Sequence, residues 1–308
     1  MPSFSLEIGG IGFQIEWEKA VPRYFPLNYG GFPLQKNPRI RLKVHCGAFP
    51  DFPKEKLLFE LKEHWALHES DGHYLIESFH SKTKKRQFLV HLTRDFSTGD
   101  VFVAHEEPWG MLHGLFPSVK PRWPFVQLMR PIGQLLVVHV LAEGEGIVVH
   151  GLGIREKEEG KAFIGPSGSG KSTLAKLFLK KGDITILSDE IVIIRREGDS
   201  FFLHGSPWPG DTMIVSQESA PLKELFFIRH ASQNGLSRLS PKDFPEVLFP
   251  QLFLPHWDEK RIRKTLAFCE ELFSRIPCYR FGFVKEQSAI SFLKERIRPL
   301  ETDVAPRP

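Results

Sequence analysis

Gly165 to Lys181 reads "GPSGSGKSTLAKLFLKK". Gly165, Gly170, Lys171 and Ser172 fit the spacing G-x-x-x-x-G-K-[ST]. Glycines let a loop turn its backbone N–H groups inward around phosphate oxygens. The stretch "KSTLAKLFLKK" places Leu174, Leu177 and Phe178 on one face of a helix, and a helix start points its positive end at the same anion. The preceding "GKAFIG" is a short apolar strand. A strand, a glycine-rich loop and a helix in that order are what phosphate binding requires. At average residue usage the spacing arises by chance in roughly one chain in a hundred of this length. The expected cradle is Gly165, Pro166, Ser167, Gly168, Ser169, Gly170, Lys171, Ser172 and Thr173. Lys171 is expected at the β and γ phosphates of ATP, or of GTP since no base-reading motif is visible. Ser172 is expected to offer its hydroxyl to Mg²⁺.

Working outward, "ITILSDEIVIIRR" (Ile184 to Arg196) reads as strand material around a carboxylate pair, Asp189 and Glu190. Two carboxylates at a strand end suit phosphoryl transfer. One can hold Mg²⁺ and the other can take a proton from an attacking hydroxyl. "SFFLHGSPWPGD" is a further strand that ends in a turn, and its Pro207 and Trp208 lie in a loop placed to border the site, with packing as their expected role. Arginines stabilise charge on a transferring phosphoryl group; Arg195, Arg196 and Arg229 are candidates, with Arg229 the best placed beside a loop. Neither an LSGGQ-like segment nor an NKxD segment follows the loop. This speaks against an ABC-type ATPase and a GTPase switch.

The whole chain has 308 residues, 41% hydrophobic and 25% charged, which suits one large or two ordinary globular domains. Its net charge of +4 is too small an excess to imply nucleic acid. The basic run "EKRIRK" (Glu259 to Lys264) is expected as a solvated helix face. Cys46, Cys269 and Cys278 form no metal or disulfide pattern and fit a reducing compartment. "MPSFSLEIGG" has no signal character, and the longest apolar stretch is interrupted by His139, Glu143 and Glu145. A soluble, cytoplasmic protein with no membrane partner is expected.

Residues 1–123 read as a β-rich module. "FSLEIGGIGFQIEW" looks like a hairpin, "RIRLKVHC" and "HYLIESF" alternate, and "RQFLVHLTRDFSTGDVFVAH" continues the pattern with a turn at Ser97 to Asp100. "EEPWGMLHGLFPSVKPRWP" (Glu106 to Pro124) marks a boundary or packed connection. Residues 124–308 read as an α/β nucleotide-binding domain, so that the chain as a whole is α+β. It opens with a buried helix at Phe125 to Ala142, and a helix at Trp257 to Arg275, the strand "CYRFGFV" and a helix at Gln287 to Ile297 follow.

The order "VVHG" (Val148 to Gly151), "GPSGSGKST", "LSDE", "HGSPWPG" resembles the kinase domain of HPr kinase/phosphorylase. That domain shares its P-loop fold with the nucleotide-binding part of phosphoenolpyruvate carboxykinase. The resemblance is good over about 147–211 and looser beyond. The chain is also similar to HPr-kinase-related proteins encoded with peptide-modification cassettes. The resemblance implies an ATP- and Mg²⁺-dependent kinase acting on a hydroxyl, with a serine of a peptide or small protein as acceptor. It implies Lys171 and Ser172 as phosphate and Mg²⁺ ligands, Asp189 as the base, Glu190 at the metal and His150 near the transferred phosphoryl group. Family members form oligomers, so a homo-oligomer is implied as well. Glu190 stands where the family has Asp. The family's second signature and N-terminal domain are not recognisable, so neither HPr as substrate nor a phosphorylase reaction is expected. Two other readings stay open: a nucleotide-binding scaffold or regulatory partner in a peptide-modification pathway without turnover, and a kinase for a small hydroxyl compound.

Overall fold

The computed structural model describes residues 3–17, 27–34, 37–62, 64–79, 83–104 and 129–302. These form two compact units, Met1–Val140 with Pro255–Glu259, and Leu141–Leu254 with Lys260–Pro308. The boundary expected at 123/124, the Pro- and Trp-rich connection and the start of the helix expected from Phe125 lie outside the described residues.

The first unit is built on one sheet of eight strands. In chain order these are β1 (Ser3–Ile8), β2 (Ile11–Trp17), β3 (Ile40–Gly47), β4 (Lys56–Leu61), β5 (Trp65–Ser70), β6 (His73–Phe79), β7 (Arg86–Leu92) and β8 (Thr98–Ala104). Their order across the sheet is β1-β2-β3-β8-β7-β6-β5-β4. Gly9 and Gly10, at φ 55° and 73°, make the two-residue hairpin turn between β1 and β2. The turn before β8 is not at Ser97 to Asp100; Gly99 and Asp100 lie inside the strand. The bend falls earlier because Asp95 Oδ1 accepts from the Ser97 backbone N–H at 3.1 Å and from the Thr93 hydroxyl at 2.6 Å. Helix α1 (Pro131–Leu141) carries His139, which is buried and stacked on Phe96 at 3.6 Å. Buried Glu77 is balanced by Lys54 at 2.6 Å and Arg86 at 2.5 Å.

The second unit is mixed α/β. Its strands are β9 (Gly146–Glu156), β10 (Glu159–Ile164), β11 (Ile184–Ser188), β12 (Ile191–Glu197), β13 (Ser200–His204), β14 (Ser219–His230), β15 (Gly235–Arg238) and β16 (Cys278–Phe283). Two long strands organise it. The first half of β9 pairs with β12 and the second half with β10 and β11. The start of β14 pairs with β13, the middle with β10 and the end with β16. Pairing of β10 with β14 thereby closes the circuit β9-β12-β13-β14-β10. Strands β10, β14 and β16 run parallel.

Parallel strands covered on both faces carry unbroken apolar runs, and these do. Ala162, Ile164, Leu225 and Phe227 face one core; Phe163, Phe226, Ile228 and Phe281 face the other. The first core is covered by α3 (Phe244–Leu248) and α4 (Glu259–Arg275), through Phe244, Leu248, Phe268, Cys269 and Leu272. The second is covered by α2 (Lys171–Leu179) and α5 (Ser288–Thr302), through Leu174, Phe178, Ile290 and Leu293. Phe268, Cys269 and Leu272 repeat at helical spacing, which fixes the buried face of α4. The basic run that opens α4 is not simply solvated. Arg261 reaches Glu143 Oε1 at 2.5 Å and Lys264 pairs with the same carboxylate, because α4 packs beside the turn that precedes β9. Burial pushes the Cys269 and Cys278 thiols up to about 12. No helix among the described residues is long and apolar enough to cross a membrane.

Candidate functional site

The apolar strand β10 ends at Ile164 and α2 begins at Lys171, so Gly165 to Gly170 form the connecting loop. Gly168 and Gly170 have φ of 79° and 102°, where only glycine is unstrained. A Cβ on Gly170 would also lie 2.5 Å from His230 Cε1 and 2.6 Å from Phe283 Cζ. Pro166, Ser167 and Gly168 are exposed, Ser169 is buried, and Thr173 is half-buried in the first turn of α2. The first N–H groups of α2 have no partner within the helix and face the same loop.

Lys171 is buried, and its ammonium donates to the carbonyls of Gly165 at 2.8 Å and Pro166 at 3.0 Å. Burial lowers its pKa from the ordinary lysine value, while the charges of Glu190 and Asp189 oppose that shift. Both carboxylates therefore lie within electrostatic reach of the lysine, although they follow it in the chain only after α2 and β11.

They occupy the two-residue break between β11 and β12, which run in the same direction along successive stretches of β9. The Ser188 hydroxyl accepts from the backbone N–H groups of Glu190 and Ile191, each at 3.4 Å. The Glu190 carbonyl accepts from Gly151 N–H at 3.0 Å, which ties the turn to β9. His150, opposite Ile191 in the sheet, then places Nε2 at 3.1 Å from Glu190 Oε1. The Glu190 side chain is 32% exposed.

Asp189 is in a different environment. It is wholly buried, and each carboxylate oxygen accepts a backbone N–H: Oδ1 from Gly210 at 2.9 Å, Oδ2 from Thr212 at 3.0 Å. The loop it holds is "GSPWPGD", which starts with close packing. Gly205 admits no Cβ, since one would lie 2.0 Å from the Ser216 carbonyl oxygen. The Ser206 hydroxyl donates to the Ile191 carbonyl at 2.6 Å, and Trp208 is buried. The loop then turns at Gly210 to Met213, with Met213 N–H donating to Gly210 O at 3.2 Å and Met213 itself at φ 57° and 72% exposed. This brings Asp211 Oδ2 to 3.4 Å from the Ser172 hydroxyl, which donates to it.

Of the arginine candidates, Arg195 pairs with Glu145 at 2.9 Å and Arg196 with Glu271 at 2.7 Å, both as bracing contacts. Arg229, at the end of β14, lines a cavity of about 380 Å³ that opens beside Gly165 and Pro166. Phe227, Gln251 and Arg280 line it too. Sequence reading did not single out Asp211 or Arg280. The turn signal of "PWPGD" was legible, but not the closure of that turn onto α2.

The structure thus gathers the loop, Lys171, Ser172, Asp189, Glu190 and His150 around the end of β10. Among the described residues, no three His, Cys, Asp or Glu side chains gather as a metal site. What the chain presents to a cation is Ser172 with one neighbouring carboxylate. Both are hard oxygen donors beside the glycine-rich loop, and Mg²⁺ is held by one or two such ligands plus nucleotide phosphates. The residues therefore fit Mg²⁺ brought in with a nucleotide. No protein-family model and no curated protein matches the chain.

Proposed function

We propose that the second unit is a kinase of the HPr-kinase type, with the P-loop fold of that family. It transfers the γ-phosphoryl group of ATP, with Mg²⁺, to a hydroxyl on a peptide or small protein. The observation that carries this reading is the convergence of Lys171, Ser172 and the Asp189–Glu190 turn on one glycine-rich loop. A simple phosphate-binding turn needs no carboxylates beside it. A transferase needs a group to take the hydroxyl proton.

Backbone N–H groups of Gly168 to Thr173 and the Lys171 ammonium bind and orient the triphosphate. Lys171 exchanges its carbonyl partners for phosphate oxygens. The acceptor oxygen forms a bond to the γ-phosphorus. The bond from that phosphorus to the β–γ bridging oxygen breaks, and ADP leaves with the electron pair. The hydroxyl proton passes to a carboxylate. The family resemblance gives that role to Asp189, but its burial and two N–H partners favour Glu190, which is partly exposed and lies 3.1 Å from His150 Nε2. Mg²⁺, when bound, neutralises charge on the phosphates; Ser172 and Asp211 are the side chains that would hold it. Arg229 and the cavity beside Pro166 offer a place for the acceptor.

Incubation with γ-labelled ATP and a panel of serine peptides, small proteins and free hydroxy amino acids tests the reading. Label on an acceptor hydroxyl supports it, and the acceptor that takes the label separates peptide from small-molecule kinase. Nucleotide binding without transfer or hydrolysis across the panel would assign a scaffold role instead.

A further inference from the structure

We infer that Asp189 is a positioning residue whose two backbone hydrogen bonds set the 209–212 loop so that Asp211 becomes the protein's carboxylate ligand for the nucleotide-bound divalent cation, alongside Ser172. The inference rests on the nucleotide-binding half of the kinase reading, and it reassigns the family's metal role from Glu190 to a residue outside the matched motif.

The geometry points in one direction at each step. Asp189 has no solvent-accessible surface, so neither a hydroxyl nor a hydrated cation reaches it without the loop moving. A carboxyl group that accepts one N–H on each oxygen, here from Gly210 and Thr212, holds both partners in place. These two N–H groups flank Asp211, so fixing them fixes the residue between. On its near side the loop is anchored, since Ser206 is bonded to β12 and Trp208 is buried. Gly210 packs tightly against the clamp: a Cβ there would sit 3.0 Å from both Asp189 oxygens and push on them. The outcome is an exposed carboxylate oxygen 3.4 Å from the Ser172 hydroxyl, at the first turn of α2. Glu190, by contrast, already has His150 as its partner.

The test uses the full chain and Mn²⁺ as the probe, titrated with ADP present and followed by electron paramagnetic resonance, with ADP affinity measured separately in chelator. Amide hydrogen exchange is read at Gly210 and Thr212. Asp211→Asn is expected to weaken Mn²⁺ binding about tenfold or more and leave metal-free ADP binding unchanged. Asp189→Asn is expected to weaken Mn²⁺ by about 10- to 100-fold and to speed exchange at the two amides. Gly210→Ala approaches the clamp from the loop side and should reproduce the Mn²⁺ loss even where Asp189→Asn does not fold. Wild-type Mn²⁺ affinity in Asp211→Asn, or its loss in Glu190→Gln instead, overturns the ligand assignment. Unchanged exchange and Mn²⁺ affinity in both clamp variants overturn the positioning role. A wild-type chain that binds Mn²⁺ with ADP as described but never transfers phosphate leaves this inference standing and refutes the kinase reading alone.

Discussion

Gly170 joins two demands at one position. Its φ of 102° is left-handed, and its missing side chain makes room for His230 and Phe283. Gly170→Ala should therefore cost about 2 kcal/mol or more in a urea melt from backbone strain and overlap, and should abolish ATP binding by calorimetry. Lys171→Ala removes a group that donates to two carbonyls and carries the loop's only side-chain positive charge. ATP affinity is expected to fall at least about tenfold, with little change in the far-ultraviolet dichroism. Much of this site was legible at the residue scale. The spacing from Gly165 to Ser172 and the pair Asp189–Glu190 are local signals with a physical mechanism. The distinct environments of the two carboxylates were not legible. They depend on where the 205–213 loop lands, which is a long-range event that no local pattern encodes.

At the scale of elements, β14 is the strand on which both cores depend. Phe226 is fully buried and stacks on Phe163 at 4.8 Å and on Tyr279 at 5.4 Å. Phe226→Ala should cost about 3–5 kcal/mol of stability, measured by urea denaturation, whereas exposed Met213→Ala should change it by less than about 0.5 kcal/mol. Sequence reading found β10 and β16 but passed over β14 except for its last residues. "SAPLKELFFIRH" has a proline, Pro221, at its third position and mixes Lys, Glu and Leu, which favour helices. Only pairing with β10, β13 and β16 makes it a strand. Strand β5 and the edge strands β4 and β15 carry no such local signal, while the hairpin of β1 and β2 does, because Gly9-Gly10 is a turn signal complete in itself.

At the scale of the whole molecule, the mixed α/β architecture follows from strands that are apolar on both faces and helices that are apolar on one. Ligand binding at the end of β10 should stabilise the native chain by mass action, by about 2.7 kcal/mol when ATP is a hundredfold above its Kd. A rise in melting temperature with Mg²⁺-ATP, smaller in Lys171→Ala, checks this. The central claim is transfer to a hydroxyl with Glu190 as proton acceptor. The most direct measurement is the rate of label transfer from γ-labelled ATP to the acceptor panel by wild type and Glu190→Gln, with ATP affinity measured alongside. Label on an acceptor hydroxyl is expected for the wild type, with a fall of about a hundredfold or more in Glu190→Gln and equal ATP affinity in both. Transfer undiminished in Glu190→Gln, or ATP bound tightly and never turned over by the wild type, would contradict that claim.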